Sequence, residues 1–217
     1  MKMVKTVTRR LRWLAIIAMC SNAGLSRAAD QDDATYRALV QRVRGGDFSV
    51  DFQALRLACV KSSLCEPRGT KADLAAMTQA GDAHDNQKLV TIAENLVSRG
   101  FVNAEAHIAL TTAYAELHNA AKSKFHLDVV THLMRSILED GKTTQTAYTV
   151  ICDREEYETL IALGLPYVGS NILSTSRFDV PGHSYEQWEI RHPKSGGNVV
   201  VFFNTDAFSP KSRVGDK

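Results

Sequence analysis

Residues 86–138 read NQKLVTIAENLVSRGFVNAEAHIALTTAYAELHNAAKSKFHLDVVTHLMRSIL, and apolar residues recur in them every three or four positions. This period is typical of amphipathic α-helices. Gly100 and the turn near Asn119 interrupt the pattern. The stretch therefore predicts three helices, at about residues 86–98, 104–117 and 121–139.

The same period extends towards the N-terminus. A first predicted helix stops at Gly45-Gly46, and Asp51 caps a second one. A weaker third helix runs from about Lys71 to Ala80 and ends at Gly81. The N-terminal half of the chain is thus predicted to be helical.

Four of these helices form two predicted hairpins in tandem, with Gly81 and His118 at equivalent turns 37 residues apart. The second hairpin resembles a tetratricopeptide repeat, although Thr111 stands where such repeats have glycine. Two units are fewer than a free-standing solenoid needs, so we expect them to pack on another element. The positions that carry the tetratricopeptide-like pattern are Leu110, Tyr114, Ser123 and Leu127.

After Asp140-Gly141 the spacing of apolar residues changes towards the period of a sheet. Asp153 begins a short predicted helix that extends to Gly164, and Lys194–Gly197 is a predicted hairpin turn. The predicted strands are Ala147–Ile151, Tyr167–Leu173, Arg177–Val180, Tyr185–His192 and Asn198–Asn204.

These patterns predict an α+β fold in which N-terminal helical hairpins pack on a small, mostly antiparallel C-terminal sheet. The predicted regions are a signal peptide at 1–28, a helical region at 29–140, an α+β sheet region at 141–208 and a flexible tail at 209–217.

Residues 1–28 have the organisation of a secretory signal, because a basic leader precedes the apolar run Trp13–Cys20 and small residues end at Ala28. The alternatives are a twin-arginine signal and a lipoprotein anchored at Cys20. Met19 is bulky where a lipoprotein signal has a small residue, so the ordinary secretory route is favoured. We therefore expect an exported, periplasmic protein.

Removal of the signal changes the charge of the chain. The full chain has a formal net charge of +2, whereas the part after residue 28 has 20 Lys and Arg against 24 Asp and Glu, a net charge of −4. A mildly acidic chain without a basic block is not typical of proteins that bind nucleic acid or anionic lipid. We expect neither a nucleic-acid partner nor stable membrane insertion after signal cleavage.

Three cysteines follow the signal. Cys59 and Cys65 form a candidate disulfide in an oxidising compartment, since the chain turns just after them. The alternative is that Cys59 is only a small buried residue. Cys152 is expected to be buried and inert, because it lies beside a predicted strand and no neighbouring histidine is evident that would activate its thiol.

His107 and His126 are the first candidate binding residues. From a hairpin turn at Asn119-Ala120, the helical rise places them about 9 Å apart along the helix axes. A shared metal ion is therefore not expected, nor is any cofactor. Tyr114 lies closer to the level of His126, and its hydroxyl group is a possible partner of that imidazole.

Acidic residues provide further candidates. Asp153 and Glu156 have the spacing of a capping box, which leaves Glu155 to point to solvent. Asp179 and His183 flank the Pro181-Gly182 turn and form a second candidate site. No pair of carboxylates or nucleophile motif completes a catalytic set.

Several short strings occur in order along nearly the whole chain after the signal. They are Gly46-Asp47-Phe48, Val50-Asp51-Phe52, Leu55-Arg56, Ala106-His107, Phe125-His126, Ile137, Asp140-Gly141-Lys142-Thr143, Thr146-Ala147-Tyr148, Glu155-Glu156-Tyr157 and Phe202-Phe203-Asn204. Together they resemble an uncharacterised bacterial exported family, domain-of-unknown-function family 4919. The family's activity is unknown, so the resemblance implies export and no particular reaction. Cys59 and Cys65 are not part of its pattern.

Two functions are consistent with these features. The first is a module that binds a peptide or an envelope protein on the helical hairpins and a sheet edge. The second is a hydrolase-like enzyme that uses His107 or His126 with Glu155 or Asp179. The absence of a complete catalytic set in the sequence favours the binding module.

Overall fold

A computed structural model of the chain describes residues 28–139, 146–165 and 171–209. These residues form a mixed fold of seven helices and one four-stranded sheet. The predicted signal peptide up to residue 27, the Asp140–Thr143 string and the tail from residue 210 lie outside the described residues. The helices are α1 at 28–44, α2 at Phe52–Lys61, α3 at Lys71–Asp82, α4 at Asn86–Arg99, α5 at Ala104–Glu116, α6 at Ala120–Leu138 and α7 at Asp153–Ala162.

The sheet has the strand order β1-β4-β3-β2, with β1 parallel to β4 and the other two pairings antiparallel. The sheet is therefore mixed, with two antiparallel pairings out of three. The strands are β1 at Tyr148–Thr149, β2 at Ile172–Val180, β3 at His183–Arg191 and β4 at Asn198–Asn204.

Two predicted strands, Tyr167–Leu173 and Arg177–Val180, are not separate elements. The structure has one strand, β2, because Ser174, Thr175 and Ser176 pair with β3 instead of forming a loop. These polar residues lie on an exposed strand. Their side chains therefore stay in contact with water, and no desolvation cost opposes strand formation. The part of the first predicted strand at 167–170 lies outside the described residues.

Two hydrophobic clusters form the interior. The larger one joins α1 to α5 with the first two-thirds of α6, and the smaller one joins the sheet to α7. Helix α6 contributes Val129 and Leu133 to the first cluster and Ile137 to the second. The helical and sheet regions therefore share a helix and pack directly on each other.

The two helical hairpins are related by an offset of 34 residues. Helix α3 ends in a Schellman motif in which His84 has a φ of 52° and Asp85 donates its N–H to the Ala80 carbonyl. Helix α5 ends in the same motif, with His118 at a φ of 57° and Asn119 bonded to the Tyr114 carbonyl. The true equivalent of His118 is thus His84, and the predicted equivalence with Gly81 is wrong.

A buried ion pair joins the two regions. The guanidinium of Arg56 on α2 donates to Glu155 on α7 from Nε at 2.9 Å and from Nη2 at 2.5 Å. The Arg56 and Glu155 side chains are only 1% and 6% exposed. Arg56 also donates to the Thr149 carbonyl at 2.6 Å and to Ser136 Oγ at 3.3 Å. This side chain therefore connects α2, to which it belongs, with α6, β1 and α7.

Arg56→Met should lower the free energy of unfolding by about 3–5 kcal/mol, because it leaves the Glu155 carboxylate buried without its cation. Arg68→Met is the matched control, since the Arg68–Asp153 pair is 60% and 53% exposed and should contribute less than about 1 kcal/mol. Urea denaturation measures both values. Equal losses in the two variants would contradict the assignment of a special role to Arg56.

Cys59 and Cys65 form a disulfide that closes a short loop at the end of α2, with their Cα atoms 5.2 Å apart. Cys152 is a buried free cysteine whose thiol pKa is raised by burial. Cys59 is therefore paired with Cys65, and the alternative that it is only a small buried residue does not hold.

Removal of this disulfide should lower the free energy of unfolding by about 2 kcal/mol, as expected for closure of a short loop. Denaturation of the wild type with and without a reducing agent measures the effect. The double variant Cys59→Ala/Cys65→Ala should unfold with the same free energy under both conditions. An unchanged wild-type value after verified reduction would rule out this contribution.

Candidate functional site

A cleft of about 720 Å³ lies between the α2–α3 loop, the start of α3 and the start of α7. Its lining combines apolar and charged side chains, a combination typical of ligand sites. The apolar part includes Leu74, Ile151, Tyr157 and Phe208, and the charged part includes Glu66, Arg68, Lys71, Asp153 and Arg154.

Ion pairs hold the walls of the cleft together. Arg68 Nη1 donates to both Asp153 carboxylate oxygens at 2.9 Å and so connects the α2–α3 loop to α7. Arg154 donates to Glu105 of α5 through Nε at 2.8 Å and Nη2 at 2.5 Å. These pairs fix the start of α7 against the helical region and define one side of the cleft.

Arg99 holds two acidic groups behind the other wall. It donates to Glu66 and to Asp73, each at 2.7 Å, and Asp73 also accepts from the backbone and hydroxyl of Thr70. These donors lower the pKa of Asp73 to about 2, with the Arg99 hydrogen bond as the largest cause. The Thr70–Asp73 capping box fixes the start of α3 at Lys71.

The 34-residue offset assigns to each α3 residue in the cleft lining an equivalent residue on α5. Lys71 and Leu74 on α3 correspond to Glu105 and Ile108 on α5, and each pair is one helical turn apart on one face. Leu74 lines the cleft, Arg154 of the cleft contacts Glu105, and Ile108 is 48% exposed. We call these four residues the repeat face.

His107 and His126, the first candidates from the sequence, are in direct contact. Their Nδ1 atoms lie 2.8 Å apart, and both side chains are buried. The predicted separation of about 9 Å is wrong because the turn is centred near His118, where α5 ends at Glu116 and α6 begins at Ala120. This centre reduces the axial offset to three residues, or about 4.5 Å, which the side chains span.

The hydrogen bonds of the pair indicate which ring nitrogens donate and which accept. The Phe101 carbonyl can only accept, so Nε2 of His107 carries a proton and donates to it at 2.8 Å. Neutral His107 then accepts at Nδ1 from Nδ1–H of His126. When His126 is neutral as well, its Nε2 atom carries no proton; this atom lies 3.9 Å from a carboxylate oxygen of Glu94.

The environment favours the neutral form of both rings. Burial, followed by the neighbouring His126, lowers the pKa of His107 to about 3. Burial also lowers the pKa of His126, although the Glu94 carboxylate opposes this change. The arrangement is that of a hydrogen-bonded pair of histidines in the helical core.

Tyr114 contacts His126 differently from the prediction. Its ring stacks on the His126 ring at a centroid distance of 5.7 Å. Its hydroxyl group donates to Glu94 at 2.8 Å and accepts from Lys122 at 2.9 Å. The predicted hydrogen bond between the hydroxyl and the imidazole is therefore replaced by ring stacking.

Neither Glu155 nor Glu156 has its predicted role. Cys152 is the N-cap of α7, so Asp153 is already helical and the predicted capping box does not form. Glu155 is buried against Arg56 and accepts from the Ile151 N–H at 2.9 Å, instead of pointing to solvent.

Glu156 is only 2% exposed, and its Oε1 atom has no hydrogen-bond partner among the described residues. Burial, followed by the charge of Glu186, raises the pKa of this carboxyl to about 8. The side chain is therefore protonated at neutral pH, which lowers the cost of its burial.

Asp179 and His183, the second candidate site, have separate partners. Asp179 accepts from the Ser184 hydroxyl at 2.7 Å, and His183 Nδ1 lies 2.6 Å from Asp206. Within the residues that the structure describes, neither Asp179 nor Glu155 contacts His107 or His126. The structure thus brings together His107, Tyr114 and His126, and leaves Glu155 and Asp179 in other networks.

The cleft itself is not predicted by the sequence analysis. Its lining comes from the α2–α3 loop, α3, the start of α7 and the segment after β4, which are distant in the sequence. One local signal exists, because Lys71 begins a helix where the helix dipole disfavours a cation. Such a conflict between a residue and its local structure can mark a functional position.

Neither a family model, nor a curated protein, nor a solved structure matches the chain. Across the ranges 28–139, 146–165 and 171–209, no helix has the length and apolar character needed to cross a membrane. The same ranges contain no group of three or more His, Cys, Asp or Glu side chains placed to hold a metal ion. The function must therefore be inferred from the geometry of the cleft.

The buried histidine pair should make stability pH-dependent. The folded-state pKa of each ring lies below the ordinary value of 6.5, so the unfolded chain binds more protons, and stability should fall as pH decreases from 6.5 towards 3. Urea denaturation at a series of pH values measures this slope. The double variant His107→Leu/His126→Leu should have a shallower slope.

Nitrogen NMR of the imidazoles provides a check that does not depend on variants. His107 should remain in the Nε2–H form down to pH 5. Titration of His107 with a midpoint near 6.5 would contradict the buried neutral pair.

Proposed function

We propose that this chain is a binding module that takes an extended segment of a protein or peptide along the cleft and the repeat face. The observation that supports the proposal most directly is the cleft of about 720 Å³, which is lined by apolar and charged side chains. Arg154 of the cleft contacts Glu105 of α5, and the exposed Ile108 follows Glu105 by one helical turn, so we propose that a bound chain extends from the cleft along α5.

The offset between the hairpins supports the same function. Equivalent turns and helix ends lie 34 residues apart, and 34 residues is the period of tetratricopeptide repeats. Stacked helical hairpins present corresponding faces side by side, and repeat proteins bind partners on such extended surfaces. We therefore propose that α3–α6 are two tetratricopeptide-like units that pack on the sheet region.

The hydrolase-like alternative has less support. Its candidate carboxylates, Glu155 and Asp179, are hydrogen-bonded to Arg56 and Ser184 respectively. A general base must reach its partner within hydrogen-bond distance, and these carboxylates have other partners.

Export to the periplasm remains part of the proposal. The basic leader and apolar run of residues 1–28 support it, and so does the disulfide, since such bonds persist in oxidising compartments. The resemblance to domain-of-unknown-function family 4919 stays a prediction. An envelope protein is accordingly the proposed partner.

Site-specific photo-crosslinking in the native host tests this function. A benzophenone amino acid at position 108 should give ultraviolet-dependent adducts that mass spectrometry maps to one extended segment of a partner. Position 127 is the matched control, because Leu127 is 52% exposed and Ile108 is 48% exposed. Absence of adducts at position 108, or identical adducts at both positions, would contradict the proposal.

A further inference from the structure

Strand β2 forms one edge of the sheet, because the strand order is β1-β4-β3-β2. It has nine residues, from Ile172 to Val180, and all of them except Ile172 are exposed. Among the described residues β2 pairs only with β3, so alternate N–H and C=O groups on its other side have no strand beside them. Such an edge is a template for a further strand.

The sequence of β2 leaves this edge open. The strand reads ILSTSRFDV and contains neither proline nor lysine, two residues that commonly protect edge strands. Its irregularity in register lies at the start, between Ile172 and Ser174, and pairing with β3 is regular from there to Val180. The strand at the other edge, β1, has only two residues. In the described part of the sheet, β2 is thus the edge that can accept a long partner.

Two charged side chains on β2 determine which partner fits. Arg177 and Asp179 are alternate residues, so they lie on the same face of the sheet, with opposite charges. Both contact β3, where Arg177 pairs with Glu186 and Asp179 accepts from the Ser184 hydroxyl group. Charges on an edge strand oppose pairing with most strands. A strand that carries the opposite charge at each facing position is attracted instead.

A second copy of β2 meets this requirement. When two copies lie antiparallel about a two-fold axis at Phe178, Arg177 of each copy faces Asp179 of the other. The two Phe178 side chains, which are 39% exposed in the single chain, face each other on the opposite side of the sheet. A two-fold axis at Arg177 or at Asp179 would place like charges opposite each other. The charges therefore select the register centred on Phe178.

We propose that β2 is a self-association edge, through which two copies of this chain pair antiparallel and join their four-stranded sheets into one of eight strands. Two Arg177–Asp179 ion pairs and the contact between the Phe178 rings define the register. None of these three residues lines the cleft, so the interface is separate from the proposed binding surface.

Sedimentation velocity of the purified chain over a concentration series tests this proposal. The wild type should convert reversibly from monomer to dimer as the concentration rises. Arg177→Glu and Asp179→Arg should each raise the dissociation constant by about tenfold, because two attractive contacts become repulsive. Arg42→Glu is the matched control and should not change it, because Arg42 is 51% exposed and paired with Asp47, and Arg177 is 50% exposed and also paired.

An equimolar mixture of the two variants tests the register itself. In a mixed dimer, the two acidic positions of Arg177→Glu face the two basic positions of Asp179→Arg. Opposite charges then meet at both contacts, and the dimer should form at the concentrations that the wild type needs. A wild type that stays monomeric up to about 1 mM would overturn the proposal. So would wild-type association of either variant alone, or no association of the folded variants when mixed.

Hydrogen exchange of the wild type provides a test without variants. Amides within residues 176–180 should become more protected as the concentration rises, whereas those of α5 should not change. Unchanged exchange within 176–180 in a dimeric sample would place the dimer contact elsewhere and overturn the proposal.

Discussion

The buried ion pair between Arg56 and Glu155 is the interaction on which the arrangement of this protein depends. A guanidinium that is 1% exposed must have its donors satisfied, and here they reach a carboxylate, a backbone carbonyl and a hydroxyl group on three different elements. These contacts restrict how α2, α6, β1 and α7 lie relative to one another. The pair thereby adds a directional contact between the two hydrophobic clusters, which also share α6.

The cleft is a consequence of this constraint. Glu155 lies in the first turn of α7, so its contact with Arg56 fixes where that helix begins. The neighbouring Arg154 then reaches Glu105, and Asp153 reaches Arg68 on the opposite wall. Three successive residues of α7 thus contact three parts of the helical region, and the cleft lies at their junction. A binding surface at this junction would respond to any movement between the two regions.

The sequence predicts the elements well because apolar spacing and caps are local signals. Helix α2 is capped by Asp51 as predicted. Helix α5 ends one residue earlier than predicted, and α6 begins and ends one residue earlier than predicted. Partners over long distances are not predicted in this way. Arg56 and Glu155 are 99 residues apart in the sequence. The spacing of apolar residues identifies the buried face of a helix, but not which other element packs against that face. The predicted separation of the two histidines is wrong because it depends on the exact position of one turn. Moving that turn by about one and a half residues changes the axial offset between residues on two antiparallel helices by about 4.5 Å.

Hydrogen exchange tests most directly whether the ion pair makes the two cores one cooperative unit. In the wild type, the most protected amides of α5 and of β3 should exchange with the same opening free energy. In Arg56→Met, β3 should open at a lower free energy than α5, because the sheet region is released while the helical core persists. Equal opening free energies in the variant would contradict the account and assign the coupling to the shared helix α6 alone.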